Sequence, residues 1–262
     1  LEAADFAALN VALLSTAQIQ AMTSAQIAAL TTAQLSSVEA EDIAVLSAAT
    51  IKGLTAAQLQ TLTTVQIEAL SAAQVAVLSA PQLAALKTEQ ITALQTEDVA
   101  AISTASIVGL TTAQAAALTD AQVLALTTAQ ISRMDVVDIA ALSAADIQAF
   151  SSAQIQALSA LQIAGMTTAQ VAAIDTADLA VISTAEIQAL TTAQVANLAT
   201  EQLAALSSAQ IGAIEVSDIK VLTSAQVRAL STDQIGVLSS SQVAALTTAQ
   251  LVAMEVGDLA EL

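Results

Sequence analysis

The sequence contains no cysteine and no histidine. It therefore holds no disulfide, no thiolate metal site and no imidazole base, and the usual nucleophile–base arrangements cannot be assembled from it. Tryptophan and tyrosine are missing too, and Phe6 and Phe150 are the only aromatic residues. A chain that is 56% hydrophobic must then fill its core with Leu, Ile, Val and Ala in small, similar layers. Basic residues are scarce: Lys52, Lys87, Arg133, Lys220 and Arg228 stand against 23 acidic ones, for a formal net charge of −18. That balance argues against a nucleic-acid backbone or an anionic membrane as partner. Long apolar runs are absent as well. Ser, Thr, Gln or an acidic residue interrupts every stretch well short of the ~18–20 apolar residues of a spanning helix, so no membrane insertion is expected. No basic segment followed by an apolar one opens the chain. Leu1 in place of a starter Met suggests a processed chain or a piece of a longer one.

What is present is one unit, restated. From Asn10 to Asp258 the pattern polar-Φ-x-small-Φ-[Ser/Thr]-x-x recurs every eight residues, where Φ is usually aliphatic. Leu190-Thr191-Thr192-Ala193-Gln194-Val195-Ala196-Asn197-Leu198 is a clear copy. Thr191 and Gln194 stand in the S/T-x-x-E/Q relation of a capping box, with Leu190 and Val195 placed for a hydrophobic staple. The relation recurs at Ser15/Gln18, Thr23/Gln26, Thr31/Gln34, Thr55/Gln58, Thr111/Gln114, Thr167/Gln170, Ser207/Gln210 and Thr247/Gln250. It predicts a new helix start at every octad.

Two rivals fit less well. In one unbroken helix eight residues overshoot two turns by about 80°, so the aliphatic pair would spiral around the axis with no single seam. A β-helix is disfavoured by abundant Ala, Leu and Gln and by only six glycines for its corners. A helix of roughly five or six residues is unstable alone. Each must bury its aliphatic pair against neighbours, which is the logic of a solenoid. The expected fold is all-α: a single solenoid over residues 1–262, about 32 octads with one short capped helix each, around a thin aliphatic core.

Departures from the unit carry the remaining information. Glu2–Leu9 looks like an octad lacking its last three residues. Asp replaces Gln at Asp98, Asp138, Asp178, Asp218 and Asp258, which lie forty residues apart, whereas the block from Asp42 to Asp98 spans seven octads. In several of these units the capping position is acidic too: Asp135/Asp138, Asp175/Asp178, Glu215/Asp218, Glu255/Asp258, Glu39/Asp42 and Glu2/Asp5. The forty-residue period reads either as one turn of the coil or as the unit of duplication. Gly53, Gly109 and Gly165 occupy the small position and imply close packing or a relaxed helix end. No two of them share a loop, so they form no phosphate cradle. Pro81 falls in a first helical turn, where its missing N–H is harmless.

Paired carboxylates repeated block after block read as a structural device rather than an active site, and no enzyme is expected. Asp135, Asp138, Asp175, Asp178, Glu215 and Asp218 offer hard oxygen ligands of the kind calcium takes. The competing reading makes them N-caps and first-turn acids favoured by the helix dipole. No cofactor is implied. Thr pairs such as Thr31-Thr32, Thr63-Thr64, Thr127-Thr128 and Thr247-Thr248 would either line one surface or divide into a cap and an exposed neighbour.

At Leu-Thr-Thr-Ala-Gln-Ile/Val-x-Ala-Leu the chain resembles the very long tandem-repeat proteins of Gram-negative bacteria often labelled as adhesion or haem-utilisation proteins. The resemblance covers essentially the whole length and implies an extended protein that is secreted or displayed at the cell surface. Haem ligation finds no His, Cys or Tyr here. Leu-Thr-x-x-Gln-Val is also similar to the repeat of DNA-reading transcription-activator-like effectors, but that repeat is several times longer and its surface basic. The expected function is a structural one: an extracellular spacer, stalk or filament-forming subunit that self-associates end to end. A protein- or glycan-binding module is the alternative, and an ordered-surface binder (ice or polysaccharide) the third reading. Terminal layers without polar caps favour continuation over closure.

Overall fold

The computed structural model describes residues 9–260. The expected short unit at Glu2–Leu9 and the Glu2/Asp5 pair fall, but for Leu9, outside them. The described residues form 30 α-helices of four to six residues and no strand, one helix per repeat. The chain divides into two compact units, Leu1–Ala141 and Leu142–Leu262.

Helix starts follow the octad. Thr16–Gln20, Ser24–Ala29 and Thr32–Ser36 open the first unit, and Thr192–Ala196, Thr200–Ala205 and Ser208–Ala213 continue the series in the second. The cause is local. Thr191 is extended (φ −74°, ψ 156°), its hydroxyl accepts from the Gln194 N–H at 3.3 Å, and its own N–H donates to Gln194 Oε1 at 2.7 Å. Two of the otherwise unpaired N–H groups of a helix start are thereby satisfied. The helix stops where the second aliphatic residue turns extended, as at Leu30 (φ −65°, ψ 140°), and the next cap follows at once.

The expected acidic caps are a correction. Glu39, Asp175 and Glu215 occupy the N-cap position, but none makes a side-chain cap bond. They act, if at all, through charge at the helix start.

Two units depart from α-helix, the first as a 3₁₀ segment at Val11–Leu13. At Ser103–Leu110 the octad relaxes into a turn and a 3₁₀ segment, Ile107–Gly109. Here Ser106 stands in place of Gln, and Gly109 packs so closely that a Cβ would lie 2.3 Å from the carbonyl oxygen of Ala80. Gly53, three residues after Thr50, is equally tight: a Cβ there would meet the Ser24 carbonyl oxygen at 2.6 Å. Close packing is the correct reading of both glycines. A short hydroxyl residue at the Gln position lets the coil come nearer, and only glycine fits three residues on.

Both aliphatic positions point inward. Ile27 and Leu30, or Leu203 and Leu206, are at most 4% exposed. Burying each such side chain stabilises by about 1.5–3 kcal/mol. No octad can do this alone, because its neighbours supply the covering surface. Helices three octads apart pack together, as Ser24–Ala29 does on Ala48–Ile51 in the first unit and Thr184–Gln188 on Ser208–Ala213 in the second.

Candidate functional site

The feature that recurs throughout is a polar ladder between successive coils, built on the Gln position. Gln194 is 2% exposed. Its Oε1 closes the local capping box, while its Nε2 donates to the carbonyls of Ile163 and Met166 in the preceding coil, both at 2.8 Å. Gln58 does the same in the first unit, to Ile27 at 2.9 Å and Leu30 at 2.8 Å. One amide thus starts its own helix and ties down the end of another, 28 to 31 residues earlier. Leaving such a buried amide unpaired would cost about 1–3 kcal/mol, so the double use makes the position demanding.

The offsets set the pitch. Helices meet three octads back, while Gln reaches carbonyls of the fourth, so each coil holds about three and a half octads. Five octads do not make a turn, and the forty-residue period is not one revolution of either unit. Seven octads make two turns, which is the span separating Asp42 from Asp98 in the first unit.

At six positions where Gln is replaced, the ladder is rebuilt. Thr50 Oγ1 donates to the Met22 carbonyl at 2.8 Å, and Ser106 Oγ to the Leu78 carbonyl at 2.6 Å. Aspartate cannot donate when ionised, and the preceding coil supplies the proton instead. Thr112 donates to Asp138 Oδ1 at 2.8 Å, Ser152 to Asp178 at 2.5 Å, Thr192 to Asp218 at 2.6 Å and Thr232 to Asp258 at 2.9 Å. Each donor lies 26 residues before its acid. The second hydroxyl of the Ser/Thr pair, expected to be merely exposed, is therefore a ladder residue in these four units. A constant 26-residue offset between hydroxyl and Asp was the signal in the sequence.

The calcium candidates separate into two groups. Asp138, Asp178 and Asp218 turn inward, between 2% and 8% exposed, and are occupied by these hydroxyls. Asp135, Asp175 and Glu215 sit outside at the helix starts. No group of three acidic, His or Cys side chains converges among the described residues. Burial pushes the Asp138 carboxyl above its usual range, the Thr112 hydrogen bond opposes the shift, and the Asp135 charge adds to it. Asp146 Oδ1 is buried with no hydrogen-bond partner, while its Oδ2 accepts from the Ser143 N–H at 2.8 Å.

Ala-Leu-Thr-Thr-Ala-Gln itself stands at residues 29–34, 125–130, 189–194 and 245–250. A profile of the ALTTAQ repeat matches residues 1–39, 66–96, 91–128, 139–173, 171–208 and 211–248. The chain belongs to the ALTTAQ-repeat family. In an ALTTAQ unit the Leu closes one helix, the first Thr caps the next, the second Thr is placed to reach the following coil, and the Gln bridges to the preceding one. No curated protein matches the chain. Among the described residues no helix is long and apolar enough to cross a membrane.

Proposed function

We propose that the chain is a non-catalytic structural spacer, a stalk or filament-forming segment that works outside the cell. The observation that carries this reading is the repetition of one two-sided Gln bridge, from Gln58 in the first unit to Gln250 in the second. Each added octad presents the carbonyls that a later Gln requires and the Gln that an earlier carbonyl accepts. Length is then the quantity such a sequence can vary without redesign. End-to-end continuation follows from the complementarity of Gln and carbonyl. The surplus of negative charge keeps neighbouring segments apart laterally. The resemblance to bacterial surface proteins supports the extracellular place.

Small-angle scattering on chains lengthened or shortened by seven octads tests the spacer reading, together with electron microscopy over a concentration series. The expected result is a maximum dimension that changes by a constant step and rods that lengthen with concentration. A dimension unchanged by the insertion would overturn it.

A second reading rests on two open grooves in the second unit. One, of about 430 Å³, is lined by Gln148, Asp175, Glu201 and Gln202. The other, of about 540 Å³, is lined by Gln188, Glu215, Ser239 and Gln242. They recur at the forty-residue interval and would give a glycan- or protein-binding module two equivalent seats. Saturable binding lost together with Glu201→Ala and Gln242→Ala would favour this reading over the spacer.

A further inference from the structure

Asp98 takes the Gln position of helix Thr96–Ala101 and is 1% exposed. Its Oδ2 accepts from the Gln95 N–H at 3.1 Å. Unlike Asp138, Asp178, Asp218 and Asp258, it has no hydroxyl 26 residues earlier: that position is Ala72. Ala72 opens helix Ala72–Val75, which packs directly on Thr96–Ala101. The carbonyl 28 residues back is that of Leu70. At this offset Gln90 donates to Leu62, Thr50 to Met22 and Ser106 to Leu78. A carboxylate has nothing to donate there; a carboxylic acid does.

We propose that Asp98 is a proton-operated latch in the first unit. Carrying a proton taken from solvent, its side chain donates to the Leu70 carbonyl and closes the coil between residues 70 and 98. Without that proton two acceptors face each other, and this coil becomes the loosest joint of the unit.

The surroundings favour the protonated form. Glu97 lies beside Asp98 on its own helix, and helix Asp120–Ala125, which packs on it, carries Asp120. Helix Ala72–Val75 contributes no charge, and Glu68 reaches the neighbouring Gln95 at 3.3 Å. None of these elements carries a Lys or Arg. Burial raises the Asp98 carboxyl from 3.8 to about 6, against the Gln95 N–H bond and with the help of Glu97. The folded chain therefore holds the proton more tightly than the unfolded chain. Stability grows as pH falls through about 6, is complete below 3.8, and is lost as pH rises again.

The test compares the wild-type chain with D98N, A72S and D178N. D98N donates an amide without titrating. A72S restores the missing hydroxyl. D178N removes an equally placed acid that Ser152 already serves, and so controls for general charge relief. Carboxyl-carbon NMR titration is expected to place the Asp98 midpoint near 6 in the wild type and to lower it in A72S. D98N is expected to melt several degrees above wild type at pH 7.5, with the gap closing by pH 4.5, while D178N shows a smaller change. Amide exchange at residues 70–75 is expected to slow on acidification in the wild type and not in D98N. An Asp98 midpoint in the ordinary carboxylate range in the wild type, or one that A72S leaves unchanged, would overturn the proposal. So would a gap between D98N and wild type that stays constant with pH. The titration needs no variant to fold.

Discussion

Thr192 Oγ1 donates to Asp218 Oδ1 at 2.6 Å, 26 residues away and one coil on. The pair shows how this repeat tolerates a residue that breaks its rule. Asp218 keeps the inward position of Gln but loses the amide donor, and Thr192 supplies the proton from the other side. Thr192→Ala leaves the buried carboxylate oxygen with only the longer 3.2 Å bond from the Ser217 hydroxyl, at a cost of about 1–3 kcal/mol. Thr192→Ser is expected to be close to neutral. Thr200→Ala is the control, since the residue 26 further on is Gln226, and it is expected to stay within about 0.5 kcal/mol. Denaturant unfolding of the three variants checks the ordering; equal losses for Thr192→Ala and Thr200→Ala would contradict it.

Gln194→Glu keeps the acceptor that closes the capping box but turns the two donated bonds into a carboxylate facing the Ile163 and Met166 carbonyls. The expected loss is about 2–3 kcal/mol at pH 7, because a charged group is left buried and unpaired. Gln194→Met removes both ends of the bridge and is expected to cost about as much. Thermal melting at two pH values separates them. The Glu variant recovers part of its loss on acidification, and the Met variant does not.

The glycines divide by what lies beside them. Gly53→Ala and Gly109→Ala force a Cβ onto the carbonyls of Ser24 and Ala80 and are expected to destabilise by about 1–3 kcal/mol. Gly257→Ala meets nothing within 4 Å and lies in helix Val256–Leu259, so it is expected to stabilise by up to about 1 kcal/mol. Opposite signs for the two classes in one unfolding series are the result to look for.

Asp138 gives a pH dependence of defined sign. Its folded carboxyl lies above the ordinary range through burial, so the folded chain binds the proton more tightly and gains stability as pH falls. Thr112 opposes that shift by hydrogen bonding to the ionised form. Thr112→Ala is expected to raise the Asp138 midpoint further and to steepen the loss of stability toward neutral pH. An NMR titration in which Thr112→Ala lowers the midpoint would contradict the assigned role.

Much of the fold was legible because its causes are local. Ser/Thr and Gln three residues apart start a helix whatever surrounds them, and Ile27 and Leu30 mark its buried face. The ladder was not legible, because 28 and 31 are not multiples of eight. Gln58 and Leu30 have no visible relation in a pattern read octad by octad. Capping alone accounts for Gln, so the octad pattern carries no sign of a second use of its amide. Asp175 and Glu215 illustrate the opposite failure. Their position and type suit a cap, yet the side chains make no cap bond, and charge near the helix start is all that the position requires.

The coil length underlies every inter-coil bond described above. Glu68 and Gln95 are both exposed and touch across one coil at 3.3 Å. The chain has no cysteine, so E68C/Q95C can be spin-labelled without background. Electron–electron distance measurement is expected to give a short separation, within about 20 Å once the labels' own reach is allowed for. The pair E68C/V108C, forty residues apart, is expected to be longer. An uninterrupted helix would put Glu68 and Gln95 on the order of 40 Å apart, and a coil of five octads would make the Val108 pair the shorter one. Either result would contradict a coil of three and a half octads.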